Sequence, residues 1–351
     1  MEAARWLPDQ RDGVRLLALD PVSGAFRETT VAHLPQLLGP GDLLVVNDAA
    51  TLPASLSGRD SDGAPVEARL VTAAQDGVGF WAALLGAGDW RTRTEDRPPP
   101  PDLPPGSELT FGAVEPLRAV IRERSSISPR LVRLDFAARG DALWAALYRH
   151  GRPIQYAHLE RDLPLWAVQT VYAARPWAVE MASAGRPLSW QVLLDLRARG
   201  VAWAALTHAA GVSATGDPAI DAALPLPERY EIPAATRDLV LRTRASGGRV
   251  VAVGTTVVRA LEGAAAAGMR LRGTTDLLLG PHHRPRLVDG ILSGMHGPGE
   301  SHFELLRAFA PAALLTAAWH HASARGFRAH ELGDSILVLP GRRRNAPGGK
   351  D

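Results

Sequence analysis

Residues 251 to 262 read Val-Ala-Val-Gly-Thr-Thr-Val-Val-Arg-Ala-Leu-Glu. A continuous apolar run stops at one glycine and resumes at helical spacing, with Val258 and Leu261 three apart. The pattern predicts strand, tight turn, helix, and so an α/β fold whose strand is covered on both faces. A helix starting at Gly254 presents unpaired backbone N–H groups, the Thr255 and Thr256 hydroxyls and, one turn on, the Arg259 guanidinium. That set suits a carboxylate or another anion. Arg259 and Glu262 lie three apart on the same helix. They read either as a surface ion pair or as an anion holder with the carboxylate that orients it.

Residues 14 to 20 and 42 to 47 run or alternate apolar like strands, and Val31 to Leu38 between them reads as a helix, giving an opening β-α-β unit. From about 60 to 150 the character changes. Short candidate strands at 66 to 72, 78 to 84, 107 to 113, 117 to 123 and 130 to 136 are separated by Gly, Asp and Pro loops, the pattern of a small β-barrel. After 165 the α/β alternation returns. Helices are expected at Pro187 to Arg199, Ala234 to Ser246, Ser301 to Ala310 and Ala312 to Arg325, and strands at Val201 to Leu206, Arg249 to Val253 and Ser335 to Leu339. The expected fold is an α/β main domain with an inserted small β-barrel domain. The main domain is discontinuous over 1–59 and 151–340, the barrel takes 60–150, and 341–351 reads as a disordered tail.

With 351 residues the chain can bury a sizeable core. No apolar run approaches a membrane span and Met-Glu-Ala-Ala-Arg-Trp lacks a signal-peptide core, so a cytoplasmic location is expected. Zero cysteines exclude thiolate nucleophiles and cysteine-ligated metal centres, and the single lysine, Lys350, leaves no Schiff-base chemistry. Of the 39 basic residues 38 are arginine, and the formal net charge is only +2. Between 60 and 150, 11 arginines face 13 acidic residues, a balance of −2, so no basic platform stands there. The adjacent pairs His282-His283 and His320-His321 diverge and have no third ligand at convincing spacing, which argues against a metal site. Nothing in the sequence selects an oligomeric state.

Other motifs share an order and spacing with the Gly254 turn. They are Arg11-Asp12-x-x-Arg15-Leu-Leu17, Gly41-Asp-Leu-Leu-Val-Val-Asn-Asp48, Leu52-Pro-Ala54, Val66-Glu67, Gln169-Thr-Val-Tyr-Ala173, Thr275-Asp276 and Gly333-Asp334. Together they resemble the S-adenosylmethionine:tRNA ribosyltransferase-isomerases of queuosine biosynthesis, from about residue 8 to about 338. The resemblance implies transfer of the ribosyl portion of S-adenosylmethionine to an amine, isomerisation to an epoxycyclopentanediol, and loss of adenine and methionine. It implies S-adenosylmethionine as co-substrate and no prosthetic group. Expected substrate-binding residues are Asn47, Asp48, Gly254, Thr255, Thr256, Arg259, Glu262, Thr275, Asp276, Gly333 and Asp334. Of these, Asn47, Asp48 and Asp334 read equally as turn formers.

One of two histidines, His208 or His296, is expected to take the proton at C5′, which the sulfonium acidifies. His208 follows a predicted strand and matches the family's Leu-His-Val-Gly; it reads as base or as a satisfied core histidine. His296, in Ser293-Gly-Met-His-Gly-Pro-Gly-Glu-Ser301, matches the histidine of the family's Thr-Asn-Phe-His-Leu-Pro, in a loop too glycine-rich to need it for packing. There the family's Asn, Phe, Leu and Lys become Gly294, Met295, Gly297 and Gly299. Elsewhere the family's Ala-Gly-Leu-His-Phe becomes Ala184-Gly-Arg-Pro-Leu188, and two family arginines become Ala50 and Ser55. The acceptor is therefore expected to be either 7-aminomethyl-7-deazaguanine in the wobble position of tRNA or, in a diverged relative, a small molecule; a lyase and a non-catalytic nucleoside binder are the remaining readings.

Overall fold

The structure is a computed structural model that describes residues 1–74 and 79–341. Its centre is a nine-stranded mixed sheet. Four adjacent strands, Ala202–His208, Leu43–Asn47, Val250–Val253 and Gly290–Gly294, run parallel. Every residue of Leu43–Asn47 and Val250–Val253 is buried, as expected for apolar runs covered on both sides. The alternation decides which layer each side chain joins. Val250 and Ala252 pack with Val240, Val257 and Ala318 of the helices Ala234–Ala245, Thr255–Ala266 and Ala312–Ala324. Val251 and Val253 pack on the opposite face with Val192, Leu193 and Leu196 of the helix Trp190–Ala198.

Antiparallel pairings enter on both flanks of the sheet. Ser335–Val338 runs against Gly290–Gly294 and alongside Arg15–Leu19, while Glu228–Glu231 and Arg272–Thr275 extend the other edge beyond His208. Sequence periodicity does not announce these two edge strands, because Glu-Arg-Tyr-Glu and Arg-Gly-Thr-Thr are short and polar. The opening segment also differs from a β-α-β unit. Val31–Gln36 is a 3-10 helix with Pro35 inside it, a strand at Phe26–Thr30 precedes it, and three strands separate Arg15–Leu19 from Leu43–Asn47.

Six antiparallel strands, Ser55–Asp60, Pro65–Ala73, Gly79–Leu85, Leu131–Phe136, Leu117–Arg124 and Glu108–Phe111, form the inserted barrel. It closes where Gly58 pairs with Phe111. In Leu117–Arg124 the buried Leu117, Ala119 and Ile121 alternate with exposed Arg118 and Arg122, one row to the barrel core and one to solvent. A helix that the strand reading passed over, Gly140–His150, packs Leu143 and Leu147 on this core at a spacing of four. The same cluster takes in Val179, Val212 and Ile220 from the α/β part, so the two regions share a buried seam. The tail expected from 341 onward lies outside the described residues from 342.

Candidate active site

The carboxyl ends of the four parallel strands bring Asn47, His208, Gly254 and Gly294 together, and a cavity of about 290 Å³ opens there. Open α/β sheets place ligands at this edge. Gly254 has φ 85° and ψ 159°, a conformation essentially reserved to glycine, and it turns the strand Val250–Val253 into the helix Thr255–Ala266. Gly254, Thr255, Thr256 and Arg259 all line the cavity. Asn47 joins them as a clamp. Its Oδ1 accepts from the His208 and Ala49 N–H groups at 2.9 and 3.1 Å, and its Nδ2 donates to the His208 carbonyl at 3.0 Å.

Arg259 does not pair with Glu262. The helix is buried nearly all round, so neither residue is on the surface. Arg259 Nη1 donates to Glu228, on the antiparallel edge strand, and Nε donates to the Leu277 carbonyl at 3.1 Å. Nη2 is buried and has no hydrogen-bond partner among the described residues. Glu262 instead accepts from the backbone N–H groups of Arg286, Leu287 and Val288 at 2.8, 2.9 and 3.0 Å, and holds that loop. Burial raises the Glu228 carboxyl above its ordinary value, with Arg259 opposing the shift.

The two expected histidines occupy different environments. His208 is fully buried and is not part of the cavity wall; burial first, then the Arg259 charge, pushes its pKa down to about 3. Its Nε2 lies 3.4 Å from Glu228 without hydrogen-bond geometry. His296 does line the cavity, and its loop is ordered by contacts rather than open. Its Nδ1 meets Glu300 at 3.1 Å and its ring stacks on His302 with centroids 4.4 Å apart.

The remaining expected residues stand away from the cavity wall. Asp48 accepts from Thr207 Oγ1 at 2.5 Å, and its carbonyl accepts from Ala174 N–H at 2.8 Å. Thr275 Oγ1 accepts from Leu277 N–H, and a Cβ on Gly263 would stand 2.6 Å from that oxygen. Asp276 is exposed. Gly333 makes a turn too tight for a Cβ, which would stand 2.4 Å from the Ala329 carbonyl oxygen. Asp334 receives the Arg15 and Arg328 N–H groups at 3.0 and 2.8 Å and ties two strand starts together. Sequence reasoning missed Glu228, Glu180 and His302 on the wall, and Glu300 beside His296. The first two sit on short polar segments without periodicity; the last two were visible only as neighbours of His296.

A second cavity, about 750 Å³, lies across a thin wall, with Val179, Ala209 and Arg229 facing it while Glu180, Ala210 and Glu228 face the first. Among the described residues no group of three or more His, Asp or Glu side chains could hold a metal ion, and no helix is long and apolar enough to cross a membrane.

A family model described as queuosine biosynthesis protein matches residues 2–338. The chain is 34% identical over 342 residues to the S-adenosylmethionine:tRNA ribosyltransferase-isomerase of Synechococcus elongatus, covering 95% of this chain and 91% of that one. This chain belongs to that family. The corresponding enzyme of Anaeromyxobacter sp. strain K is 35% identical, with 94% and 93% of the two chains covered. The fold is shared with the crystal structure of an S-adenosylmethionine tRNA ribosyltransferase from Thermotoga maritima, with a TM-score of 0.52, 24% identity and 96% of each chain covered.

Against the ribosyltransferase-isomerase pattern, two departures now have positions. Ser55, where the family has arginine, donates to Glu67 at 2.8 Å inside a buried barrel cluster in which Glu67 also holds Arg69 and Arg97. It is not on the cavity wall. Pro187, where the family has histidine, is buried two residues beyond Gly185 of the wall.

Proposed function

We propose that this chain transfers the ribosyl portion of S-adenosylmethionine to 7-aminomethyl-7-deazaguanine in the wobble position of tRNA, releasing adenine and methionine. The observation that carries the reading is the buried Nη2 of the cavity-wall residue Arg259, which has no partner among the described residues, in a chain that aligns over nearly its whole length with ribosyltransferase-isomerases. A buried guanidinium N–H without an acceptor is costly, and a ligand carboxylate supplies one. In this reading Arg259 holds the methionine carboxylate, Thr255, Thr256 and Asn47 serve the ribose hydroxyls, and Glu228 keeps Arg259 in place. His296 takes the C5′ proton, because it stands on the wall whereas His208 is sealed in the core.

The test is to incubate the protein with S-adenosylmethionine and a tRNA carrying either 7-aminomethyl-7-deazaguanine or guanine at the wobble position. Adenine and methionine released in equal amounts, and only with the modified tRNA, are expected. A second reading, a small amine as acceptor, is favoured by Pro187 and Ala50, where the family carries a histidine and an arginine. Release that depends on a small amine and ignores tRNA would select it.

A further inference from the structure

We propose that Glu300 is a positioning residue that fixes the tautomer of His296 and leaves Nε2 as the proton acceptor at the cavity wall; this rests on the reading of His296 as the base. Glu300 Oε2 lies 3.1 Å from His296 Nδ1, and Oε1 accepts from the Gly297 N–H at 3.1 Å, so both oxygens are fixed within one loop. The hydrogen bond from His296 leads the effects that hold this carboxyl below its ordinary value. A carboxylate can only accept. Nδ1 must therefore carry the ring proton, and in the neutral ring the lone pair sits on Nε2.

Glycines give this pair its room. A Cβ at Gly294 would stand 3.3 Å from Nε2, and one at Gly297 would stand 3.2 Å from Glu300 Oε1. These two positions are among those where the loop departs from the family pattern. The ring of His302 lies over that of His296 with planes 15° apart, and burial first, then the His296 charge, lowers its pKa to about 4, so it stays neutral beside the ring that gains charge. The other charges acting on the pair are those of Glu331, His330 and Arg259. In the step proposed, the C5′–H bond breaks, the proton goes to Nε2, and the electron pair stays on C5′ beside the positive sulfur as an ylide. The imidazolium that results has Glu300 as its counter-charge.

The test compares the parent with Glu300→Gln and Glu300→Ala. In the Gln variant the Gly297 N–H keeps the amide oxygen, so the amide NH₂ faces Nδ1 and forces the ring proton onto Nε2. Nitrogen NMR of histidine-labelled protein should show the Nδ1–H tautomer of His296 in the parent and the Nε2–H tautomer in Glu300→Gln. Adenine release should fall about 10²-fold or more in Glu300→Gln and by less in Glu300→Ala, with S-adenosylmethionine affinity changed less than about twofold in both. The same tautomer in all three proteins, or an Ala variant as impaired as the Gln variant, would overturn the inference. A tautomer that switches as expected in a parent that releases no adenine would support the positioning role and sink the functional reading instead.

Discussion

Arg259 and Glu228 show how burial turns one residue's partner into another's requirement. Truncating Arg259 leaves a buried carboxylate without its cation and, on the proposed reading, also removes a charge-assisted contact to the ligand. Arg259→Ala should therefore weaken S-adenosylmethionine binding by about 1.5–3 kcal/mol in calorimetry and lower Tm as well. Adding Glu228→Gln should restore Tm but not affinity; if affinity returns with it, Arg259 does not touch the ligand. His208 supports a prediction about stability alone. Its pKa of about 3 in the folded chain lies below the ordinary value of 6.5, so it is neutral when folded, while the unfolded chain takes up a proton once pH drops through 6.5. Its contribution is fully present above that pH and is lost as pH falls from 6.5 toward 3. Between pH 7.5 and pH 5 the parent should lose about 2 kcal/mol more than His208→Gln in urea unfolding. Equal losses would mean that His208 titrates normally.

At the scale of the element, the turn at Gly254 couples the sheet to the cavity. Its dihedral angles lie in a region that side chains avoid, and Gly254→Ala should cost about 1–3 kcal/mol. Because Thr255, Thr256 and Arg259 are aimed by that turn, binding should fall with stability. Ser189 offers the contrast: its hydroxyl accepts from the Val192 N–H at 3.1 Å and caps the helix Trp190–Ala198 on the other face of the sheet. Ser189→Ala should cost about 1 kcal/mol and leave S-adenosylmethionine binding intact. Two variants with the same stability loss and the same unchanged affinity would show the turn to be scaffold only.

For the whole molecule, charge argues about the acceptor. Of the 11 arginines between 60 and 150, nine have a carboxylate within 4.0 Å among the described residues, including the buried Arg69 and Arg97. Paired arginines neutralise few phosphates. A plot of log affinity for tRNA against log salt should be shallower than about −4, fewer than about five phosphates. A steeper slope would place a basic surface where the ion pairs say there is none. If tRNA is the acceptor as proposed, recognition would then rest on the modified base rather than on the backbone.

Three of the four parallel strands and the turn at Gly254 were legible in the sequence because continuous apolar runs and one glycine have few other uses, and five of the six barrel strands because Gly, Asp and Pro separate them. The strands Glu228–Glu231, Arg272–Thr275 and Gly290–Gly294 were not, being short and without a clear period, and the helix Gly140–His150 was passed over although Leu143 and Leu147 stand four apart. The sequence also named the turn, Asn47, Arg259 and His296, all on the cavity wall, beside Asp48, Glu262, Thr275, Gly333 and Asp334, which it could not separate from them. What tertiary structure alone decided was partnership. Glu262 lies on Arg259's own helix, yet Arg259 meets Glu228 from 31 residues away, because the edge strand carries that carboxylate to the buried face while Glu262 faces the three N–H groups of another loop. Desolvation makes each buried charge find its counterpart in space, and chain spacing does not encode which one arrives.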